Sequence, residues 1–98
     1  MIKYLNNEKL ETLITNDITI VDFYADWCGP CKMLGSVLEN LNYNIIKINT
    51  DTHQELAQKF GVMSIPTVLI YKDGKECLKF IGFRSANEIE EMIKNIKN

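Results

Sequence analysis

Two cysteines separated by two residues lie between a segment typical of a buried strand and a segment typical of a helix. Residues 18–25, Ile-Thr-Ile-Val-Asp-Phe-Tyr-Ala, are almost continuously apolar, which predicts a strand covered on both faces. Cys28-Gly29-Pro30-Cys31 follows, and proline suits the first turn of a helix because it has no N–H to leave unpaired. The next apolar residues have the spacing of one helix face, namely Leu34, Val37, Leu38 and Leu41. This pattern predicts an α/β domain with a sheet between helix layers.

The rest of the chain continues the alternation of helices and strands. The elements predicted before residue 62 are a helix over Glu8–Thr15 capped by Asn7, a strand over Asn44–Asn49, and a short helix over His53–Phe60 that ends at Gly61. The elements predicted after it are two strands, Thr67–Tyr71 and Cys77–Ile81, joined by a hairpin turn at Asp73-Gly74, and a last helix opened by the capping box Ser85–Glu88. We therefore expect a central mixed sheet of four to five strands flanked by about four helices on both faces.

Length and charge limit the class of protein. The chain has 98 residues, a length at which we expect one domain over residues 1–98. Its net charge is −2 and its basic residues are not clustered, which argues against binding to nucleic acid. Asn6, Asn7 and Glu8 interrupt the apolar run that a secretory signal needs, and no segment approaches the roughly 20 apolar residues of a membrane span. We expect a cytoplasmic protein with no nucleic-acid or membrane partner.

The chain has three cysteines, two of which form a close pair. In the reducing environment of the cytoplasm, a close pair is more often catalytic or metal-binding than structural. A structural zinc site needs four ligands, and only His53 and Cys77 remain, neither with a spacing partner. The sequence thus favours a redox pair, and we expect no metal and no cofactor. His53 is predicted to be an exposed helix residue without a function, and Cys77 a partly exposed bystander.

The position of the pair at a helix start indicates which cysteine reacts first. A helix N-terminus has unpaired N–H groups and a partial positive charge, so the thiolate of Cys28 is stabilised there. Because only the thiolate attacks disulfides, Cys28 is the predicted nucleophile. Cys31 lies one helical turn further on the same face, and Gly29 permits the tight turn between them.

Trp-Cys-Gly-Pro-Cys-Lys at residues 27–32 resembles the active-site signature of the thioredoxin family. The similarity continues in the same order through the strand 21–25, the strand 47–51, the segment 60–67 around the family's cis-proline, the turn 73–74 and the glycine at position 82. It covers essentially the whole chain, which makes it far more specific than a lone cysteine pair. The resemblance implies the thioredoxin fold, a monomer, and the activity of a protein-disulfide reductase.

The resemblance also implies roles for four residues of the site. Cys28 would attack a substrate disulfide, and Cys31 would resolve the mixed disulfide. Asp22 would be a buried base that accepts the Cys31 proton through water, with a pKa raised by burial. Lys47 would be the charge partner of Asp22. The residue pattern itself leaves a solvated Asp22 and a surface Lys47 open as alternatives.

A flat apolar patch would receive the partner protein, according to the same resemblance. Its expected residues are Trp27, Gly29, Pro30, Ile65, Pro66 and Gly82. Extended substrate would pair with the backbone beside Pro66, where a cis bond costs only about 0.5–1 kcal/mol. Core packing alone is the alternative reading of Trp27.

The implied partners are protein disulfide substrates and a thioredoxin reductase as electron donor. A second class of function is a thioredoxin-like binding subunit that uses the same patch, with redox turnover incidental. The cysteine pair together with Asp22 favours the enzyme, since a binding subunit needs no buried base.

One position departs from the family pattern. The family has a proline five residues after the second cysteine, where this chain has Ser36, preceded by Gly35. Without proline, the N–H of Ser36 can bond to the Lys32 carbonyl. We expect a straighter active-site helix than the family's kinked one.

Overall fold

The computed structural model describes residues 1–97 and contains the predicted alternation of strands and helices. The strands are β1 (Ile2–Tyr4), β2 (Thr19–Tyr24), β3 (Asn44–Asn49), β4 (Thr67–Lys72) and β5 (Lys75–Ile81). The α-helices are α1 (Gly29–Glu39), α2 (Gln54–Lys59) and α3 (Ala86–Lys97), and a 3-10 helix covers Leu10–Leu13. The three α-helices within residues 1–97 are slightly fewer than the predicted number of about four, and a 3-10 helix stands in place of the first predicted helix. No helix in residues 1–97 is long and apolar enough to cross a membrane.

The five strands form one mixed sheet in the order β1-β3-β2-β4-β5. β3 pairs in parallel with β1 and with β2, whereas β4 pairs antiparallel with β2 and with β5. β2 is therefore the central strand, which explains why its sequence is almost continuously apolar. The predicted mixed sheet is confirmed.

Each face of the sheet has its own apolar cluster, because successive residues of a strand point to opposite faces. On one face, Ile20 of β2 packs with residues of α1 and α3, namely Leu34, Leu38, Ile89 and Ile93. On the other face, Val21 and Phe23 pack with residues of the 3-10 helix and α2, among them Leu10 and Ala57. Asp22 alternates with Val21 and Phe23 and thus belongs to the face covered by α1.

The N-terminal segment differs from the prediction in two respects. The sequence indicated no strand before residue 18, yet β1 pairs with β3 over three residues. The predicted helix Glu8–Thr15 is a 3-10 helix that begins after Lys9 and has no side-chain cap. Thr12, Ile14 and Thr15 are β-branched, which disfavours a longer helix, and the Thr15 N–H donates instead to Thr19 Oγ1 at 3.2 Å.

His53 also differs from its prediction as an exposed helix residue. It is half-buried and precedes α2 as its N-cap residue. Its Nε2 lies 2.8 Å from the Asn6 carbonyl oxygen and its Nδ1 lies 3.0 Å from Thr52 Oγ1. His53 therefore ties the segment after β1 to the connection between β3 and α2.

The local turn and capping signals in the second half of the chain are confirmed. Asp73 and Gly74 have φ angles of 53° and 78°, the left-handed values that a tight hairpin turn requires. The Ser85 N–H donates to Glu88 Oε1 at 2.9 Å, and the Glu88 N–H donates to Ser85 Oγ at 3.2 Å. This reciprocal capping box opens α3.

Candidate active site

A disulfide joins Cys28 and Cys31 at the point where β2 leads into α1. Cys28 is the N-cap of α1, with extended backbone angles, and its Sγ accepts the Cys31 N–H at 3.2 Å. The two Cα atoms are 5.2 Å apart. A sulfur at a helix N-cap receives an N–H and the positive end of the helix dipole, and both stabilise a thiolate.

The helix that carries Cys31 is unbroken at the position that departs from the family pattern. α1 runs continuously through Ser36 and ends at Glu39. The Ser36 hydroxyl donates to the Lys32 carbonyl at 3.3 Å, one turn back. Such back-bonding from serine bends a helix slightly, so α1 combines an uninterrupted helix with a local side-chain bond to its own backbone.

An apolar groove of about 560 Å³ borders the disulfide, and it brings together several of the expected substrate-binding residues. Trp27 is 71% exposed, which overturns the alternative of core packing alone. Ile65 also lines the groove, and its carbonyl oxygen lies 3.8 Å from Cys28 Sγ. The expected residues that line this groove are Trp27, Gly29, Pro30 and Ile65, together with Cys28.

Pro66 and Gly82 lie beside the groove rather than in its lining. The Ile65–Pro66 bond is cis, as predicted, and Pro66 is buried. The Gly82 N–H donates to the Pro66 carbonyl at 2.9 Å, and Gly82 has a φ of 88°. A glycine accommodates this left-handed backbone without strain, so Gly82 fixes the end of β5 against the cis-proline.

The sequence analysis missed Met63, which lines the groove, and Asp51, which contacts a residue of the lining. The Trp27 indole N–H donates to Asp51 Oδ2 at 3.0 Å, and this bond sets the orientation of the exposed ring. Met63 is 93% exposed and lies in the groove lining. A usable signal existed for Asp51, because it follows β3, which runs parallel to β2, so both strands end at the same edge of the sheet.

Asp22 and Lys47 lie on neighbouring strands, on the face of the sheet that α1 covers. They are register partners between β2 and β3. Asp22 is fully buried and Lys47 is 8% exposed, which overturns the alternatives of a solvated Asp22 and a surface Lys47. The Lys47 Nζ lies 3.4 Å from Asp22 Oδ2, and within residues 1–97 neither carboxylate oxygen has a hydrogen-bond partner.

Burial governs the charge state of Asp22. It raises the pKa of the carboxyl from its usual 3.8 to about 6, against the opposing attraction of Lys47. The attraction is the weaker effect because 3.4 Å exceeds the roughly 2.7–2.9 Å of a charge-assisted hydrogen bond. Asp22 is thus ionised at neutral pH, yet it holds a proton more readily than an exposed aspartate does.

The remaining candidate residues lie outside this site. Cys77 is an exposed free thiol in β5. Among residues 1–97, no group of three or more histidine, cysteine or acidic residues is arranged to hold a metal ion.

Comparison with known proteins agrees with the fold and the site. A sequence profile of the thioredoxin family matches residues 1–95. The chain is 38% identical over 98 residues to thioredoxin from Chlamydia caviae, and the alignment covers 95% of this chain and 96% of the relative. It is 44% identical over 82 residues to thioredoxin from Bacillus subtilis, over 78% of this chain and 79% of the relative. A solved mutant thioredoxin from Halobacterium salinarum superposes with a TM-score of 0.86 at 32% identity, covering 96% of this chain and 88% of that chain. This chain therefore belongs to the thioredoxin family and is a thiol–disulfide oxidoreductase.

Proposed function

We propose that Cys28 and Cys31 reduce protein disulfides in two exchange steps. In the first, the Cys28 thiolate attacks one sulfur of a substrate disulfide, a mixed disulfide forms, and the other substrate sulfur leaves as a thiolate. In the second, Cys31 loses its proton and attacks Cys28 Sγ, which releases the second substrate thiolate. Two electrons pass to the substrate, and Cys28 and Cys31 end as a disulfide. The observation that carries this proposal is the placement of Cys28 at the N-cap of α1, on the wall of an apolar groove.

The proposed role of Asp22 is to take the proton from Cys31. A small cavity of about 120 Å³ has Cys31 and Lys47 in its wall, and Lys47 in turn contacts Asp22. A cavity of this size has room for water, and the proton would pass through that water. A base with a pKa of about 6 is well matched to proton transfer near neutral pH.

The proposed substrate site is the groove that Trp27 and Ile65 line. An extended segment of the partner would pair with the backbone there. Pro66 has no N–H, and its carbonyl already accepts from Gly82, so the pairing would use the backbone of Ile65. The neighbouring Ile65 carbonyl is 3.8 Å from Cys28 Sγ, which would bring the substrate disulfide to the nucleophile.

The proposal extends to the setting in which the reaction takes place. Residues 1–98 would work as one monomeric domain in the cytoplasm, where a reducing environment keeps a close cysteine pair available as a reductant. A thioredoxin reductase would return two electrons to the Cys28–Cys31 disulfide. The net charge of −2 argues against a nucleic-acid partner, and we propose no membrane partner.

The decisive experiment is turnover of a model protein disulfide by the purified chain, with a small dithiol as terminal reductant. Cys28→Ser should abolish turnover, and Cys31→Ser should trap the partner as an adduct that excess dithiol releases. In the reduced protein, an alkylating agent at mildly acidic pH should label Cys28 before Cys31 and Cys77. Earlier labelling of Cys31 would reverse the two roles, and a lack of turnover by the unmodified chain would favour the binding-subunit alternative.

A further inference from the structure

Two tyrosine rings lie near the ammonium group of Lys47, the partner of Asp22. The Lys47 Nζ is 4.6 Å from the centroid of the Tyr24 ring and 5.9 Å from that of the Tyr4 ring. The two rings also contact each other edge to face, with centroids 6.1 Å apart and planes at 76°. The negative face of an aromatic ring attracts a cation at these distances, so both rings favour the position in which the ammonium is observed.

The pairing of the strands creates this arrangement. Lys47 is the register partner of Tyr4 on one side and of Asp22 on the other, so the three side chains form a row across β1, β3 and β2. Tyr24 follows Asp22 by two residues in β2 and therefore faces the same side. β1, the strand that the sequence did not indicate, thus contributes one ring of the arrangement.

Gly35 of α1 leaves the space in which the ammonium lies. A methyl group built on Gly35 would be 3.1 Å from Lys47 Nζ, closer than an ordinary carbon–nitrogen contact. The glycine that precedes Ser36 therefore gives room to the partner of Asp22.

The rings matter because the ion pair itself is weakly held. The 3.4 Å separation lacks a hydrogen bond in residues 1–97, and a lysine side chain loses considerable rotamer freedom when it is fixed. Burial raises the pKa of Tyr24, so its ring is uncharged at neutral pH and acts as an aromatic surface.

We propose that Tyr24 and Tyr4, in the space left by Gly35, form an aromatic box that holds the Lys47 ammonium at Asp22. The two tyrosines are positioning residues that act on the base through Lys47. The role of this box in the reaction rests on the proposed function of Asp22. The existence of the box does not depend on that function. Other charged or titratable groups near Lys47 are Asp26 and Lys32, which line the small cavity with Tyr24 and Cys31, and they are unchanged in the variants below.

The test compares Tyr24→Leu with Tyr24→Phe and follows the titration of the Asp22 carboxyl carbon by NMR. Leucine removes the aromatic face, whereas phenylalanine keeps it and removes only the hydroxyl. Since an opposite charge within about 4–6 Å lowers a carboxyl pKa by roughly 1–3 units, Tyr24→Leu should raise the Asp22 pKa by about one unit. Tyr24→Phe should leave it close to the parent value. An unchanged pKa in Tyr24→Leu, or equal changes in both variants, would overturn the proposal.

A double-mutant cycle separates an action through Lys47 from a direct effect on the burial of Asp22. Tyr24→Leu should have no further effect on the Asp22 pKa in a Lys47→Met background; a full additional rise there would contradict the box. Tyr4→Leu, at a residue that is 55% exposed, provides a variant whose folding is not at risk, and it should give a smaller rise of the same sign.

The pH profile of disulfide turnover tests the catalytic role of Asp22 separately from the existence of the aromatic box. If Asp22 is the base, the acidic limb of the profile should move upward with the Asp22 pKa in Tyr24→Leu. A raised Asp22 pKa with an unmoved profile would support the box and overturn the catalytic role proposed for Asp22.

Discussion

The two sides of the Cys28–Cys31 disulfide contrast in polarity and in access to water. The groove on the outer side is apolar yet open, with Trp27 at 71% and Met63 at 93% exposure. The inner side is charged yet closed, with Asp22 fully buried and Lys47 at 8% exposure. Each side reverses the usual distribution of apolar and charged groups between surface and interior.

These opposite patterns of polarity and exposure indicate different roles for the two sides. An exposed apolar groove has a cost that a partner protein removes on binding. A buried carboxylate without a hydrogen bond has a cost that binding does not remove, and the proposed proton transfer would account for its presence. Substitutions on the two sides should therefore change different measured quantities.

The largest expected effect is on stability, in Asp22→Asn. The folded carboxyl has a pKa of about 6, above the usual 3.8, so the folded state binds more protons than the unfolded state between these values. Stability of the parent therefore falls as pH rises through that window, by about 3 kcal/mol in all. Asp22→Asn should lack this loss and should exceed the parent in free energy of unfolding by up to that amount above pH 6, measured by denaturant titration.

Asp26→Asn is the matched control for this measurement, since Asp26 is exposed in the loop that follows β2. Its free energy of unfolding should stay within about 0.5 kcal/mol of the parent. A parent protein whose stability is flat between pH 4 and pH 6 would contradict the raised pKa of Asp22.

The next largest effect is on turnover, again in Asp22→Asn. A positioned base contributes about 10²–10⁴-fold, but cysteine is already a few per cent thiolate at neutral pH. We expect kcat for a protein disulfide at pH 7 to fall by about 10-fold to 100-fold, with KM unchanged. A fall in kcat that disappears as the pH approaches 9 would identify the missing step as deprotonation of Cys31, whereas a changed KM would place Asp22 in substrate binding.

A smaller effect is expected on the outer side, in Trp27→Ala. Truncation of an aromatic contact residue costs about 1–2 kcal/mol in binding, so KM should rise by roughly 5-fold to 30-fold while kcat at saturating substrate stays unchanged. Asp51→Ala removes only the acceptor of the indole N–H and should give a fraction of this rise. If Trp27→Ala lowered kcat and left KM unchanged, the division of work between the two sides would be wrong.

The smallest effect is expected from Cys77→Ser, which belongs to neither side of the disulfide. Cys77 is exposed in β5, and surface substitutions usually change stability by less than about 0.5 kcal/mol. Turnover and free energy of unfolding should match those of the parent. A loss of turnover would show that this third thiol takes part in the exchange.

The predictions that succeeded rest on signals carried by a few adjacent residues. The run at 18–25 indicated the central strand because burial on both faces demands apolar residues at every position. Asp73-Gly74 and the Ser85–Glu88 capping box are confirmed because both are local bonding patterns. The burial of Asp22, which the family resemblance implied, agrees with its position within the same apolar run.

The features that the sequence did not reveal depend on contacts between distant segments. β1 is too short to show alternation and exists through its pairing with β3. The contacts of Tyr4 with Lys47 and of Asp51 with Trp27 join residues that are far apart in the sequence. The helix expected over Glu8–Thr15 is shorter because Thr15 bonds to Thr19, a competing local bond that periodicity alone does not show.

The edges of the sheet have a consequence for aggregation. Edge strands present unpaired backbone groups to other chains, and very short strands or charged side chains discourage such pairing. β1 has three residues, and β5 carries exposed side chains at Lys75, Glu76 and Lys79. Both edges thus resist the addition of foreign strands, even though the proposed reaction requires the protein to meet partners that present extended segments. Contact with such partners would thereby be directed to the backbone at Ile65, next to the sulfur that is proposed to react with them.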